Sequence, residues 1–144
     1  TLDEALKKVS EYENLKANID IKSYGSLEKI VECAEKYNLK DRIFFTGIFL
    51  KDTEAVKKAC PDIDYYLNSD IEKKYKQTDE YIESLIKTVK DSGAVGINCH
   101  YKNVTEDMVK EYHNYWFHIK GFFIREILAG VICTLAGIII QFVL

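Results

Sequence analysis

Regular alternation of strand-like and helix-like segments is the feature that most limits the folds open to this chain. Strand patterns begin near residues 18, 42, 63 and 94, and a helical pattern occupies each gap between them. Such alternation is typical of α/β proteins, in which parallel strands are joined by right-handed crossovers. We therefore predict that residues 18–98 form four parallel strands with their helices on one side.

Short polar residues indicate where the helices begin. Thr1 followed by Glu4 is a capping-box pattern, and Ser26, Thr78 and Thr105 each stand before an apolar periodic segment. The apolar run of the second strand ends in Gly47, which we expect to be a turn residue rather than part of a phosphate-binding loop.

Two architectures satisfy this alternation, a doubly wound sheet and part of a (β/α)8 barrel of the TIM type. No Gly-rich phosphate-binding motif follows any of the strand patterns, so nothing marks a nucleotide-binding sheet. A complete barrel needs ~250 residues. The 126 residues before the uncharged C-terminal run are about half of that number. The body is therefore either a small α/β sheet or an incomplete barrel.

Composition excludes several classes of protein. Lys and Arg number 20 against 23 Asp and Glu, for a net charge of -3, which rules out a strongly basic nucleic-acid-binding surface. Hydrophobic residues make up 47% and charged residues 30%, a balance typical of globular proteins. The cysteines form no CxxC pair, which excludes a zinc ribbon, and we expect them to be reduced core residues. They are Cys33, Cys60, Cys99 and Cys133.

The first strand carries the residues best suited to chemistry. In Asn18-Ile19-Asp20-Ile21-Lys22 the side chains of Asp20 and Lys22 share one face and the two isoleucines share the other. A carboxylate and an ammonium on an inward face are costly unless they are paired or bound to a metal or ligand. Such residues at the carboxyl end of a parallel strand favour an active site. An edge strand with one solvated face explains the same pattern equally well.

Several segments occur in the order and with the spacing of one known family. They are residues 1–6, the strand 18–22, and residues 37–47, 93–98 and 101–109. Together they resemble the middle of a glycerophosphodiester phosphodiesterase, over roughly residues 1–113. The acid-Ile-Lys strand is moderately specific by itself, and the ordered set is much more so.

The resemblance implies a TIM barrel that hydrolyses glycerophosphodiesters to glycerol 3-phosphate and an alcohol. It also implies a divalent metal, Mg or Ca, and a pair of histidines acting as acid and base. Asp20 corresponds to a metal ligand that is usually glutamate in the family, and Lys22 corresponds to a lysine that contacts the substrate phosphate. Aspartate is one methylene shorter than glutamate, which changes the distance to the metal.

The chain also departs from the family. The opening His-Arg motif, the Glu-x-Asp metal pair and the second histidine would precede the matched region and are not in this sequence, so no catalytic residue is assigned. His100, His113 and His118 do not replace them convincingly. Two hypotheses follow: a phosphodiesterase whose catalytic histidines lie in a segment absent here, or a non-catalytic, membrane-anchored or partner-binding remnant of the barrel. The expected partners are a small phosphodiester and either a missing N-terminal segment or another chain.

The C-terminal part differs in composition from the body. Residues 127–144 contain no charged side chain, and a run of 18 such residues reaches the usual threshold for a membrane-spanning helix. We divide the chain into a partial phosphodiesterase barrel over 1–120 and an apolar C-terminal helix over 121–144. A membrane span, a buried helix and a disrupted reading frame all remain open for the tail. Lys120 and Arg125 flank it and favour a cytoplasmic body, with any membrane association made through the tail.

Overall fold

The computed structural model describes residues 1–120 and 142–143. The helices of the described part are α1 (Leu2–Ser10), α2 (Leu27–Lys36), α3 (Thr53–Ala59), α4 (Asp79–Ser92) and α5 (Glu106–Lys120). The strands are β1 (Lys16–Asp20), β2 (Ile43–Ile48), β3 (Tyr65–Asn68), β4 (Gly96–Asn98) and the short β5 (Phe142–Val143). The helix expected over 121–144 falls outside the described residues, except where β5 lies. None of the helices described is long and apolar enough to cross a bilayer.

The strand order separates the two architectures that the sequence left open. Strands β1, β2, β3 and β4 lie side by side in chain order and pair in parallel, which confirms the four parallel strands predicted for residues 18–98. A doubly wound sheet reverses its strand order at a switch point, whereas consecutive units of a barrel do not. Strand β5 pairs antiparallel with β1 at the other edge. The parallel part of the sheet therefore has TIM-barrel-type topology.

One face of the sheet is covered by helices and forms the hydrophobic core. The strand side chains on this face are Ala17, Ile43, Phe45, Ile48, Tyr65 and Leu67, all of them buried. They join apolar residues from the helices, among them Leu6, Leu27, Ala34, Val56, Ile82, Val89 and Met108. Tyr65 satisfies its buried hydroxyl by donating to the Ser92 carbonyl at the end of α4. Burial of apolar area on this face is the main stabilising contribution to the fold.

Most helix starts lie where the sequence predicts them. Thr1 and Glu4 form the complete capping box, Thr78 accepts from the backbone of Tyr81, and Thr105 accepts from Met108 at 3.2 Å. The expectation for Ser26 is wrong. Its hydroxyl donates to the Ser23 carbonyl at 3.2 Å, because a 3-10 turn precedes α2 and offers that acceptor instead.

Candidate functional site

The second face of the sheet becomes polar toward the carboxyl ends of the strands. The side chains that alternate with the core residues are Asn18, Asp20, Phe44, Thr46, Tyr66, Asn68 and Asn98, with Gly96 beside Tyr66. The register pairs Asp20 with Thr46 and Asn68 with Asn98, so the last polar residues of all four strands meet at one edge. In α/β folds this carboxyl edge is where active sites form.

Asp20 and Lys22 lie together at the end of β1. The strand ends at Asp20, and the Lys22 ammonium lies 2.5 Å from a carboxylate oxygen of Asp20. The other oxygen of Asp20 lies 3.5 Å from the Thr46 hydroxyl, which also donates to Asn18 at 3.0 Å. Ile21, between the two charged residues, is buried in the core. The structure thus confirms that Asp20 and Lys22 lie on one side and Ile21 on the other, although Lys22 follows the end of β1.

The ion pair is open to solvent. The Asp20 side chain is 34% exposed and the Lys22 side chain 81%. An ion pair in this setting contributes little to stability, because water screens the charges and holding two long side chains costs entropy. The Lys22 ammonium can therefore exchange Asp20 for another anion at small cost.

Gly47 fits closely beneath Asp20. Its φ is +79°, and the pairing of β2 with β3 shifts register between Phe45 and Ile48, as at a β-bulge. A Cβ on Gly47 would lie 2.4 Å from the Ile21 carbonyl oxygen and 2.6 Å from the Asp20 carboxylate. The expectation that Gly47 ends its strand in a turn is wrong, because β2 continues to Ile48. The glycine instead leaves room for the backbone of Ile21, directly after β1, and for the Asp20 carboxylate.

Two asparagines complete the edge, and the sequence reasoning missed them. The side-chain oxygen of Asn68 accepts from the Gly47 backbone at 3.1 Å and from the Asn98 amide at 2.9 Å. The Gly47 carbonyl in turn accepts from the Tyr24 hydroxyl at 2.9 Å, so side chains hold both sides of the bulge. The signal that could have found both asparagines is their position, because each is the polar residue that ends an apolar strand.

The predicted divalent metal site can be compared with the potential metal ligands at this edge of the sheet. Within 1–120 and 142–143, no three His, Cys, Asp or Glu side chains lie close enough to hold a metal ion. Asp20 supplies one carboxylate, and the neighbouring Asn18 and Thr46 oxygens are neutral. Ca²⁺ takes 6–8 oxygen ligands and Mg²⁺ needs near-octahedral coordination. The described residues therefore do not form a divalent metal site by themselves.

His100 lies at the same edge, in the loop after β4. It is exposed, stacks on Tyr101 with ring centroids 5.0 Å apart, and accepts from the Lys102 backbone at 3.2 Å. His113 is half-buried on α5, and the side chain of His118 falls outside the described part. Cys33, Cys60 and Cys99 are free thiols. Cys60 is buried in the core, whereas Cys33 and Cys99 are half-buried against it, and Cys133 lies outside the described residues.

Comparison with known proteins gives information about the fold of this chain. No family model and no curated protein matches this chain. A solved structure from Galdieria sulphuraria, of a protein provisionally assigned as a glycerophosphodiester phosphodiesterase, matches with a TM-score of 0.61 and 20% identity. The match covers 79% of this chain but only 46% of the solved chain, so this chain spans just under half of that length. The likeness shows a shared TIM-barrel-type fold.

Proposed function

We propose that this chain is part of a metal-dependent phosphodiesterase that hydrolyses glycerophosphodiesters to glycerol 3-phosphate and an alcohol. The observation that carries the proposal is the pairing of Asp20 with Lys22 at the carboxyl edge of β1. Support comes from the fold shared with the Galdieria protein and from the residues that resemble the family. The catalytic histidines of the proposed enzyme belong to a segment absent from this chain.

Lys22 is the proposed phosphate-binding residue. Its ammonium is highly exposed and its present partner is a solvent-exposed carboxylate, so a phosphate oxygen competes for it easily. A fixed cation beside the phosphorus favours the transition state, in which negative charge on the phosphoryl oxygens is redistributed. Lys22 is thus placed to bind the substrate and to stabilise that charge.

Asp20 is the proposed contribution of this chain to a site for Mg or Ca. One carboxylate is too few ligands for either ion, so the remaining ligands would come from the segment that supplies the histidines. Bound there, the metal would neutralise phosphate charge. Gly47 is important to this part of the proposal because a larger residue would displace the Asp20 carboxylate.

A non-catalytic remnant of the barrel is the second candidate. It is favoured by the small number of potential metal ligands near Asp20 within the described residues. Under that hypothesis the carboxyl edge would retain its shape and Lys22 would bind no phosphate. The two candidates differ in a measurable property of this chain, the binding of a phosphate monoester at Lys22.

Amide chemical shifts of the isotope-labelled chain, titrated with glycerol 3-phosphate, test the proposal. We expect shifts confined to residues 19–24 and 46–48, and their loss in Lys22→Met. Lys29→Met is the matched control, since Lys29 is an exposed lysine on α2, on the helix side. Equal shifts in the two variants would favour the remnant.

Turnover provides the second test. Alone, the chain should hydrolyse glycerophosphodiesters no faster than background, because general acid–base groups typically supply ~10²–10⁴-fold and are not assigned here. Joined to a segment with two histidines and two carboxylates, it should become active. Asp20→Ala should then lower metal affinity and turnover together, and Lys22→Ala chiefly turnover. Robust metal-dependent turnover by the bare chain would place catalysis elsewhere, with His100 the first residue to examine.

A further inference from the structure

The two asparagines at the carboxyl edge have side-chain amides whose orientations are fixed by one backbone group. The Gly47 N–H can only donate, so the Asn68 atom that lies 3.1 Å from it must be the side-chain oxygen. The same oxygen lies 2.9 Å from the Asn98 side chain, which must therefore present its nitrogen. Each amide could in principle be turned over, but only one arrangement satisfies this series of hydrogen bonds.

This arrangement leaves one donor group and one acceptor available on the polar face of the sheet. The Asn68 oxygen already accepts twice, so the NH2 group of Asn68 points elsewhere. Within the described part of the chain, no hydrogen bond uses that NH2 group or the side-chain oxygen of Asn98. Both residues are half-buried. A neighbouring donor and acceptor match a hydroxyl group, which can accept and donate at one oxygen.

An aromatic ring lies next to the two amides on the same face. Tyr66 stands two residues before Asn68, and Gly96, its partner in the register, stands two residues before Asn98. A Cβ on Gly96 would lie 2.9 Å from the Tyr66 ring, so the glycine gives the ring room against β4. Aromatic side chains combined with a few fixed polar groups are the usual lining of small-molecule sites.

The amide pair lies on the same edge of the sheet as Asp20 and Lys22. Asp20 pairs with Thr46 on β2, and Asn68 ends β3, the next strand. Two steps of ~4.8 Å between strands place Asn68 roughly 10 Å from Asp20. A phosphate at the Lys22 ammonium with a three-carbon polyol attached is long enough to span a gap of this size.

We propose that Asn68 and Asn98 form a subsite for the glycerol hydroxyls of the phosphodiester, with the carbon chain against the Tyr66 ring. This inference rests on the proposed function, because the phosphate bound at Lys22 brings the glycerol to the amides. The Asn68 NH2 group donates to a hydroxyl oxygen, and the same hydroxyl donates to the Asn98 oxygen. The two asparagines are thus residues that determine substrate specificity.

The chemistry of the two arms of the substrate favours glycerol as the occupant. Every glycerophosphodiester carries the glycerol arm, whereas its other alcohol varies. An ammonium group, as in an ethanolamine arm, could donate to the Asn98 oxygen but would meet the N–H donors of Asn68. A methylated ammonium would satisfy neither amide. A site built to hydrogen-bond a hydroxyl rejects such groups, because its own polar atoms lose their partners.

The side-chain NH2 resonances of the asparagines test the subsite, and they are separate from the backbone amide shifts near Lys22. The isotope-labelled chain is titrated with glycerol 3-phosphate, methyl phosphate and glycerol. We expect both phosphates to shift backbone amides near Lys22, but only glycerol 3-phosphate to shift the side-chain resonances of Asn68 and Asn98. It should bind about 10-fold more tightly than methyl phosphate. Glycerol alone, at high concentration, should shift the side-chain resonances only.

Asn68→Asp is the decisive variant. It keeps the acceptor for the Gly47 N–H and the Asn98 amide but replaces the available NH2 group with a second oxygen. The preference for glycerol 3-phosphate over methyl phosphate should fall to about 1- to 2-fold, and Asn98→Ala should have the same effect. Asn18→Asp is the matched control, since it keeps the acceptor for the Thr46 hydroxyl and adds the same charge to the same face. It should weaken the binding of both phosphates and leave their ratio unchanged.

Failure of the subsite and failure of the proposed function give different results. If both phosphates bind equally well near Lys22 and the asparagine resonances do not move, the subsite is excluded and phosphate binding stands. If glycerol shifts those resonances but neither phosphate acts near Lys22, the subsite stands and the proposed function is contradicted. A preference that survives in Asn68→Asp would also overturn the subsite, and the absence of any shift would overturn both.

Discussion

The two faces of the parallel sheet are formed by side chains of adjacent residues, but they differ in burial and in polarity. Phe45 is completely buried against the helices, whereas Phe44, one residue earlier, is half-buried on the other face and meets Tyr66 edge-on at 5.5 Å. Asn98 belongs to the polar edge and Cys99 to the helix side in the same way. The apolar face therefore carries the stability of the fold, while the polar face is left available for chemistry.

The largest effect that tests this division is expected from the two phenylalanines. Phe45→Ala should lower the free energy of unfolding by about 3–5 kcal/mol, since it removes a fully buried ring and leaves a cavity. Phe44→Ala should cost about 1 kcal/mol, mainly the edge contact with Tyr66. Chemical denaturation of the two variants measures the difference. Similar losses would mean that the polar face is packed as tightly as the helix-covered one.

Gly47 tests whether the polar edge is also rigid. Gly47→Ala should cost about 2–4 kcal/mol, because left-handed backbone alone costs an alanine roughly 1–2 kcal/mol and the new Cβ meets the backbone of Ile21. Gly25→Ala is the matched control, since its nearest neighbour would lie 4.0 Å away. Thermal unfolding compares them. If the Gly47 variant is as stable as the control, the bulge can move and does not hold Asp20.

A smaller effect is expected from Asn68. Asn68→Leu should cost about 1–2 kcal/mol, because the Gly47 N–H and the Asn98 amide both lose their acceptor. Asn68→Asp keeps an acceptor at the same place, so it should retain most of the stability at neutral pH. Denaturant unfolding of both variants measures this difference, and a loss in Asn68→Asp equal to that in Asn68→Leu would show that the hydrogen bonds contribute little.

The reactivity of the Cys99 thiol tests how well the helix side of the sheet is buried, and the measurement requires no substitution. Burial raises the pKa of the Cys99 thiol to about 11, because the low-dielectric surroundings disfavour the thiolate. At pH 8 its alkylation should be about 100-fold slower than in the urea-unfolded chain, and the rate should rise as pH approaches that pKa. Mass spectrometry of the labelled peptides follows the reaction. Fast labelling of the folded chain at pH 8 would place Cys99 on the open face.

Much of this arrangement is readable in the sequence because it depends on local physics. Alternation along β1 predicts that Asp20 faces away from the buried Ile21, since successive strand residues point to opposite faces. Capping at Thr1, Thr78 and Thr105 follows from helix ends that need acceptors within three residues. Parallel pairing likewise follows from a helix in each gap between strands.

Contacts between distant residues were decided only in the folded chain. Asn68 and Gly47 are 21 positions apart, and Arg42 donates to the Val9, Tyr12 and Glu13 carbonyls at the end of α1, some 30 positions earlier. Strand order, the bulge at Gly47 and the meeting of four strand ends at one edge are likewise settled by packing of the whole sheet. Periodicity specifies which face a residue occupies, but only tertiary structure specifies its neighbour on that face, because pairing joins segments whose separation in sequence carries no pattern.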